Sequence, residues 1–367
     1  MPGTAPVLLS HPTPVDTPGA AADRARLQDA LGMADEVSGR SDLALELARE
    51  LGAGGHPVPT PGGGATRMRW EILASVSAAD LTAGRVVEAH LDALAILDEA
   101  KVCADGADSS PLSRVGAGPG STWGVFAAEG GTDPLRVSGT ADGDVLTGTK
   151  PWCSLADRLS HALVTAHGPD GRGLYAVRLR SSRIRAGEGD WVSRGLADVP
   201  SGPIVLDHAP AVPVGGPGWY LQRPGFAWGG IGVAACWFGG AVALGRTLFA
   251  QVAARGGDPI ADMHLGAVDL ALTRSRLTLL DAAARVDSGV LTTAERGVLT
   301  ARVRAVVADA AEEVVHRIGH ALGPAPLARD EDHARRVADL TLYVRQHHAE
   351  KDLAALGGDL RDGGLPW

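Results

Sequence analysis

The chain has 367 residues, 45% apolar and 21% charged, and 43 acidic against 34 basic side chains leave a net charge of −9. That apolar content excludes a disordered chain, and 49 glycines without a three-residue period exclude a collagen-like one. The acidic balance, with arginine spread along the helical segments, argues against nucleic acid as the main partner.

Residues 1–20, rich in Pro, Thr and Ala without periodicity, read as a flexible arm. A helical unit over 21–121 follows. Ser41 is placed as the N-cap of a Leu-rich helix that the Gly/Pro run from Gly52 to Gly64 ends. Helical spacing then returns from Thr66 to about Ala100, through Trp70, Leu73 and Val76 and again through Val86, Leu91 and Leu94, which predicts two packed helices. Over 122–220 the texture changes to short β-branched or alternating runs: Trp123 to Ala127, Arg136 to Gly139, Asp144 to Gly148, His161 to Thr165, Leu174 to Leu179 and Ile204 to Leu206. They predict a central β-domain of barrel or sandwich type, with a hairpin at Asp142-Gly143. Over 221–367 four long Ala- and Leu-rich segments predict an antiparallel four-helix bundle, so the fold class is α+β. Nowhere is there a run of about 18 apolar residues, and the amino terminus has no basic region leading into an apolar core, so the expectation is a cytoplasmic protein without a membrane partner. Cys103, Cys153 and Cys236 are too widely spaced for a disulfide framework or a zinc knuckle.

Several motifs carry chemistry. Trp123-Gly-Val-Phe-Ala-Ala-Glu-Gly-Gly-Thr-Asp133 runs from a strand through an acidic residue into a small-residue turn. Thr140-Ala-Asp-Gly-Asp144, followed by Leu146-Thr-Gly-Thr-Lys-Pro-Trp-Cys-Ser-Leu-Ala156, is a hairpin leading to Gly-x-Lys-x-Trp and a hydroxyl. Ala234-Ala235 and Gly239 open a helix, and Arg255-Gly-Gly-Asp-Pro-Ile260 forms the next junction. Together with the helix, strand, helix order, these resemble the acyl-CoA dehydrogenase superfamily of flavoproteins.

That resemblance implies FAD as cofactor. Val125, Ala127 and Ala128 would border the isoalloxazine ring, Gly131 and Thr132 would lie by the pyrophosphate, Trp152 would pack on the ring and Ser154 would bond near N5. Arg255, with His316, Gly319 and His320, would reach the flavin of a neighbouring subunit, which implies a homodimer or homotetramer. The implied reaction is oxidation of an acyl-CoA at Cα–Cβ, with electrons passed to an electron-transferring flavoprotein. The family's glutamate base has no counterpart here, neither after Arg329-Asp330 nor at Trp228-Gly-Gly-Ile231. Asp339 falls near the first of these places; a solvated helix carboxylate paired with Arg335 or Arg336 is an equal reading for it.

The tail also resembles the flavin-dependent monooxygenase branch of the same superfamily, through Pro326-Leu-Ala-Arg329, Arg336, Asp339 and His347-His348. In that branch reduced flavin arrives from a separate reductase and no glutamate is needed. Asp339, His347 and His348 are therefore the candidate catalytic residues, and an exposed polar face is the alternative for the His pair. A cofactor-free binding or assembly protein on the same fold is a third reading. Glu313-Val-Val-His316 has the spacing of a di-iron ligand pair but no second copy, so no metal is expected. Glu88 and Asp92 share a helical face, and His90 reads as a satisfied core or interface histidine.

Overall fold

Glycine at Gly239 shows how tightly two groups of helices close on each other: a Cβ there would lie 2.0 Å from the Ala74 carbonyl oxygen of another helix. In the computed structural model, which describes residues 5–10, 20–53, 58–101, 110–130, 133–189 and 191–363, the first group comprises α1 (Ala20–Asp35), α2 (Ser41–Ala53), α3 (Thr66–Ala79) and α4 (Leu81–Glu99). A 3-10 helix, Pro111–Val115, leads into seven strands: β1 (Trp123–Phe126), β2 (Arg136–Thr140), β3 (Gly143–Lys150), β4 (His161–Gly168), β5 (Gly171–Arg178), β6 (Ile184–Ala186) and β7 (Ile204–Pro213). After the short α5 (Trp219–Gln222) come α6 (Pro224–Arg255), α7 (Pro259–Asp287), α8 (Thr293–Leu322), α9 (Pro324–Arg329), α10 (Glu331–Tyr343) and α11 (Glu350–Gly363). The chain is thus α+β, with a sheet between helical segments and a helical bundle at its carboxy-terminal end.

Local chemistry sets the boundaries. Asp80 caps α4 by accepting from Ala83 N at 2.8 Å, Asp258 precedes Pro259 at the start of α7, and Thr292 with Glu295 forms a reciprocal capping box on α8. Ser41 does not cap α2. Its hydroxyl donates to Asp198 at 3.0 Å and its amide to the same carboxylate at 2.8 Å, tying α2 to the loop before β7. The sheet runs β1-β4-β2-β3-β7-β5, with β4 also paired to β5 and β6 to β7. β1 lies parallel to β4, while β2 and β3 form the expected hairpin, with Thr140 opposite Gly143. β6, three residues long, has too little alternation to be legible in the sequence.

Two expectations change. The arm reading fails over residues 5–10, where Val7 and Leu9 are buried; Val7 N donates to Ser75 Oγ and Leu9 N to Glu71 Oε1, both at 2.9 Å. The fourth bundle helix is two helices. Between α10 and α11 lie a 3-10 turn, Val344–Gln346, and Ala349 at φ 46°, a left-handed conformation that cannot continue an α-helix. Among the described helices α6 alone is long and apolar enough to cross a membrane, and 72% of its most apolar stretch is buried inside the protein.

Candidate functional site

The two strand-associated motifs meet through a buried lysine. Lys150, at the end of β3, donates to Glu129 at 3.0 Å and to Thr165 on β4 at 2.7 Å. Glu129 also meets His167 at 2.8 Å and Arg172 at 3.0 Å. Its partial burial opposes ionisation, and the bonds from His167 and Lys150 overcome that and hold its pKa at about 2. Thr149 N reaches the Asp133 carbonyl at 3.1 Å, so both motifs are locked side by side.

Past Lys150 the chain leaves the sheet in a conformation that L-residues adopt at a cost. Trp152 has φ 58° and Leu155 φ 55°, and the turn is pinned to the loop before β7 by Cys153 N on the Gly202 carbonyl (2.9 Å) and Leu155 N on the Pro200 carbonyl (2.8 Å). The indole of Trp152 is 64% exposed, which excludes an ordinary core aromatic. Ser154 Oγ accepts from Arg85 Nη2 on α4 at 3.2 Å and contacts Ser201 Oγ at 2.8 Å. Cys153 is buried and its thiol is pushed up to about 12 by desolvation, so it is no nucleophile.

Between α4 and β1 lies a pocket of about 20 Å³ lined by Arg85, Ala89, Val125, Phe126 and Ser154, room for one water and not for a tricyclic ring. Trp152 does not line that pocket, and its indole stands exposed outside it. On the other side of the 152–156 turn opens a largely apolar cavity of about 400 Å³, lined by Cys153, Ala156, Leu179, Ile184, Trp191 and Pro203 among others, within the size range of small-molecule sites.

A buried contact path runs inward from Ser154. Arg85 bonds Glu88 at 3.3 Å and lies 6.0 Å from the Tyr343 ring centre; Tyr343 Oη is 3.4 Å from Glu88 and packs edge-on to Trp237, which meets His347 at 6.5 Å between ring centres. Burial, offset in part by Arg85, pushes Glu88 up to about 7. His90 Nδ1 accepts the Trp123 amide at 3.2 Å, so this histidine is a satisfied core residue, and desolvation lowers it to about 4.

The candidate catalytic residues have different partners. Asp339 is buried on α10, which overturns its reading as a solvated helix carboxylate; Oδ1 accepts the Leu196 amide at 2.6 Å, and burial raises it to about 6. Gly195 beside it has no room for a side chain, since a Cβ would lie 2.2 Å from the Ala338 oxygen. His347 is half-buried with Nε2 3.8 Å from Asp352, while His348 is exposed 3.4 Å from the same carboxylate. Val125, Ala127 and Ala128 are half-buried along and after β1, and the Ala127 carbonyl accepts from Arg172. Gly131 and Thr132 lie outside the described residues. Arg255 reaches the Ala321 carbonyl at 3.4 Å, and the exposed rings of His316 and His320 stand 4.1 Å apart on α8. Arg255, His316, Gly319 and His320 therefore gather at one end of the bundle. Arg85 and Ser201 were missed by sequence reasoning, because each meets Ser154 from a remote part of the chain, and Trp191 was missed because its indole bonds only the Leu196 carbonyl of its own loop, at 3.1 Å.

No family model matches the chain, and no curated protein matches its sequence. Solved structures do match over nearly the whole length. Dibenzothiophene monooxygenase TdsC from Paenibacillus sp. A11-2 superposes with a TM-score of 0.74 at 16% identity, covering 94% of this chain and 98% of that one. KijD3, solved with FMN and a dTDP-linked amino sugar, gives 0.76 at 18%, covering 97% and 96%. A steroid ACAD gives 0.69 at 20%, covering 93% and 99%. TdsC has likewise been solved with FMN. The chain shares the fold of these solved structures.

Proposed function

We propose that the chain is a flavin-dependent monooxygenase that receives reduced flavin from a separate reductase and acts on a small, largely apolar substrate. The observation that carries this reading is Trp152, a strained and exposed indole beside Ser154, whose hydroxyl is bonded by a cation, Arg85, and by no carboxylate among the described residues. Reduced flavin, when bound, activates molecular oxygen for transfer. The protein's part is positional. Trp152 offers the ring a flat face, Val125, Ala127 and Ala128 an apolar border, and the cavity beside Trp191 a place for substrate. The superposition on FMN-bound TdsC and KijD3 supports a flavin; FAD rather than FMN would call on Arg255, His316, Gly319 and His320 of a second copy for its adenylyl half.

A second reading, dehydrogenation of an acyl-CoA with an electron-transferring flavoprotein as acceptor, is favoured by one observation. Glu88, with a pKa of about 7, adjoins the pocket-lining Ala89 and has the affinity for protons that a general base needs, once Arg85 turns away.

The test starts from anaerobic protein. Purified protein is given reduced FMN or FAD and then oxygen, and separately oxidised flavin with a panel of acyl-CoA thioesters. Substrate-dependent product formation only with supplied reduced flavin is the expected result, and bleaching of oxidised flavin by a thioester would establish the dehydrogenase instead. Trp152→Ala should weaken flavin retention by about tenfold, the scale of a lost aromatic stacking contact. Unchanged retention would place the ring elsewhere.

A further inference from the structure

At the end of β1 remote from Glu129, where Trp123 pairs with His161, an open cleft of about 360 Å³ separates the 116–121 loop from the end of β5. Both ring nitrogens of His161 are engaged, with the Val115 carbonyl at 3.0 Å and Ser160 Oγ at 2.9 Å, so this histidine is wall and not ligand. The loop is held by Ala117 N on the Leu112 carbonyl at 3.2 Å, by Ser121 N on the Gly118 carbonyl at 2.9 Å and by Gly118 N on Ser121 Oγ at 3.0 Å. Donors are what remain free. Arg178 and Arg180 both line the cleft and are exposed, and among the described residues neither has a carboxylate partner, in a chain of net charge −9. The Gly120 amide likewise has no acceptor among them, and Ser121 keeps its hydroxyl hydrogen.

Gly118 and Gly120 are a second, independent sign. Neither has a left-handed backbone, and a Cβ on either would meet nothing within 4 Å, so the fold does not require glycine at these places. Their effect is a bare loop whose backbone an anion can approach closely. Arg180 also lines the apolar cavity of about 400 Å³ beside Trp191, so the two spaces share one guanidinium. The other charged groups lining that cavity are Arg185 and Asp157, and Asp157 lies 3.9 Å from Arg158 Nε. We infer that the substrate is a phosphate monoester, its phosphate on the 116–121 loop between Arg178 and Arg180 and its apolar body running past Arg180 into the cavity beside Trp191. This names a substrate class for the reading above; it rests on that cavity as the place for substrate and not on the flavin. A phosphate offers three terminal oxygens to the two guanidiniums, the amide and the hydroxyl, whereas a carboxylate offers two, and two arginines match its double charge.

The experiment is a calorimetric titration of the full chain, without flavin and at low ionic strength, with octyl phosphate, inorganic phosphate, octanol and nonanoate. Octyl phosphate should bind at least about tenfold more tightly than any of the other three. Arg178→Ala and Arg180→Ala should each weaken it by about tenfold, the scale of a lost charge-assisted hydrogen bond. Arg183→Ala removes an equal charge from an exposed residue that lines neither cavity, and should leave the affinity unchanged. Melting midpoints establish that the three variants are folded. Octyl phosphate binding no more tightly than inorganic phosphate would remove the apolar half of the site. Tighter binding of nonanoate would make the ligand a carboxylate, and equal weakening by Arg183→Ala would reduce the effect to general charge attraction. Each of these results overturns the inference, as does no binding of octyl phosphate at millimolar concentration. Because no flavin is present, none of them bears on the flavin reading, which stands or falls on the retention test with Trp152→Ala.

Discussion

Glu88 and His90, two residues apart on α4, have opposite protonation behaviour for the same physical reason. Burial disfavours charge, so it raises the glutamate to about 7 and lowers the histidine to about 4. Glu88 binds its proton more tightly folded than unfolded, so its contribution to stability is complete below its ordinary 4.5 and is lost as pH rises through 7. His90 does the reverse, its contribution declining as pH falls from 6.5 through 4. The stability advantage of wild type over Glu88→Gln should therefore shrink by about 3 kcal/mol between pH 4.5 and 7 and be level above about pH 8, as followed by urea unfolding at each pH. A constant difference across that range would show that Glu88 is not desolvated. The motif that holds Trp152 and Ser154 was legible at this scale as a pattern, because its residues are neighbours in the chain. Arg85 and Ser201 were not, since an arginine on a helix and a serine in a loop give no local sign of which distant hydroxyl they meet.

The order of elements was readable from periodicity and turn residues, and the strand runs and three of the four bundle segments were located from spacing alone. What misled was composition without context. The segment over residues 5–10 has the Pro-rich texture of a loose arm, yet Val7 and Leu9 fill space on α3, and Arg246 and Arg276 hold the carbonyls of Pro6 and Leu9 at 2.8 and 2.9 Å. Leu9→Ala should cost about 3 kcal/mol, the usual range for a fully buried leucine. A chemical-denaturation shift below about 0.5 kcal/mol would mean that this segment is not part of the core. The break between α10 and α11 was hidden in the same way, because helical spacing continues through residues that the backbone bends around Trp237 and Asp352.

One apolar face of the whole molecule is left exposed by the described residues. Ile260, Met263, Leu270 and Leu277 stand exposed along α7 at helical spacing, with Phe249 nearby in sequence on α6, toward the end that carries Arg255. We propose that a second copy covers this face, giving the homodimer or homotetramer in which Arg255, His316, Gly319 and His320 meet a neighbouring flavin. Leu270, 66% exposed, contributes little to the fold of one chain. Leu270→Glu should leave the melting of the isolated chain nearly unchanged while halving the mass seen by sedimentation. An unchanged mass would place the subunit contact elsewhere. By itself the sequence determined the class of fold, the order of helices and strands and the paired motifs at Glu129 and Lys150, because periodicity, turn chemistry and short-range spacing are local properties of a chain. Only the tertiary structure decided that Asp339 anchors the Leu196 amide, that His90 serves the Trp123 backbone and that Ser154 meets Arg85 and Ser201. Burial and hydrogen-bond direction depend on which remote groups converge, and no local pattern encodes that.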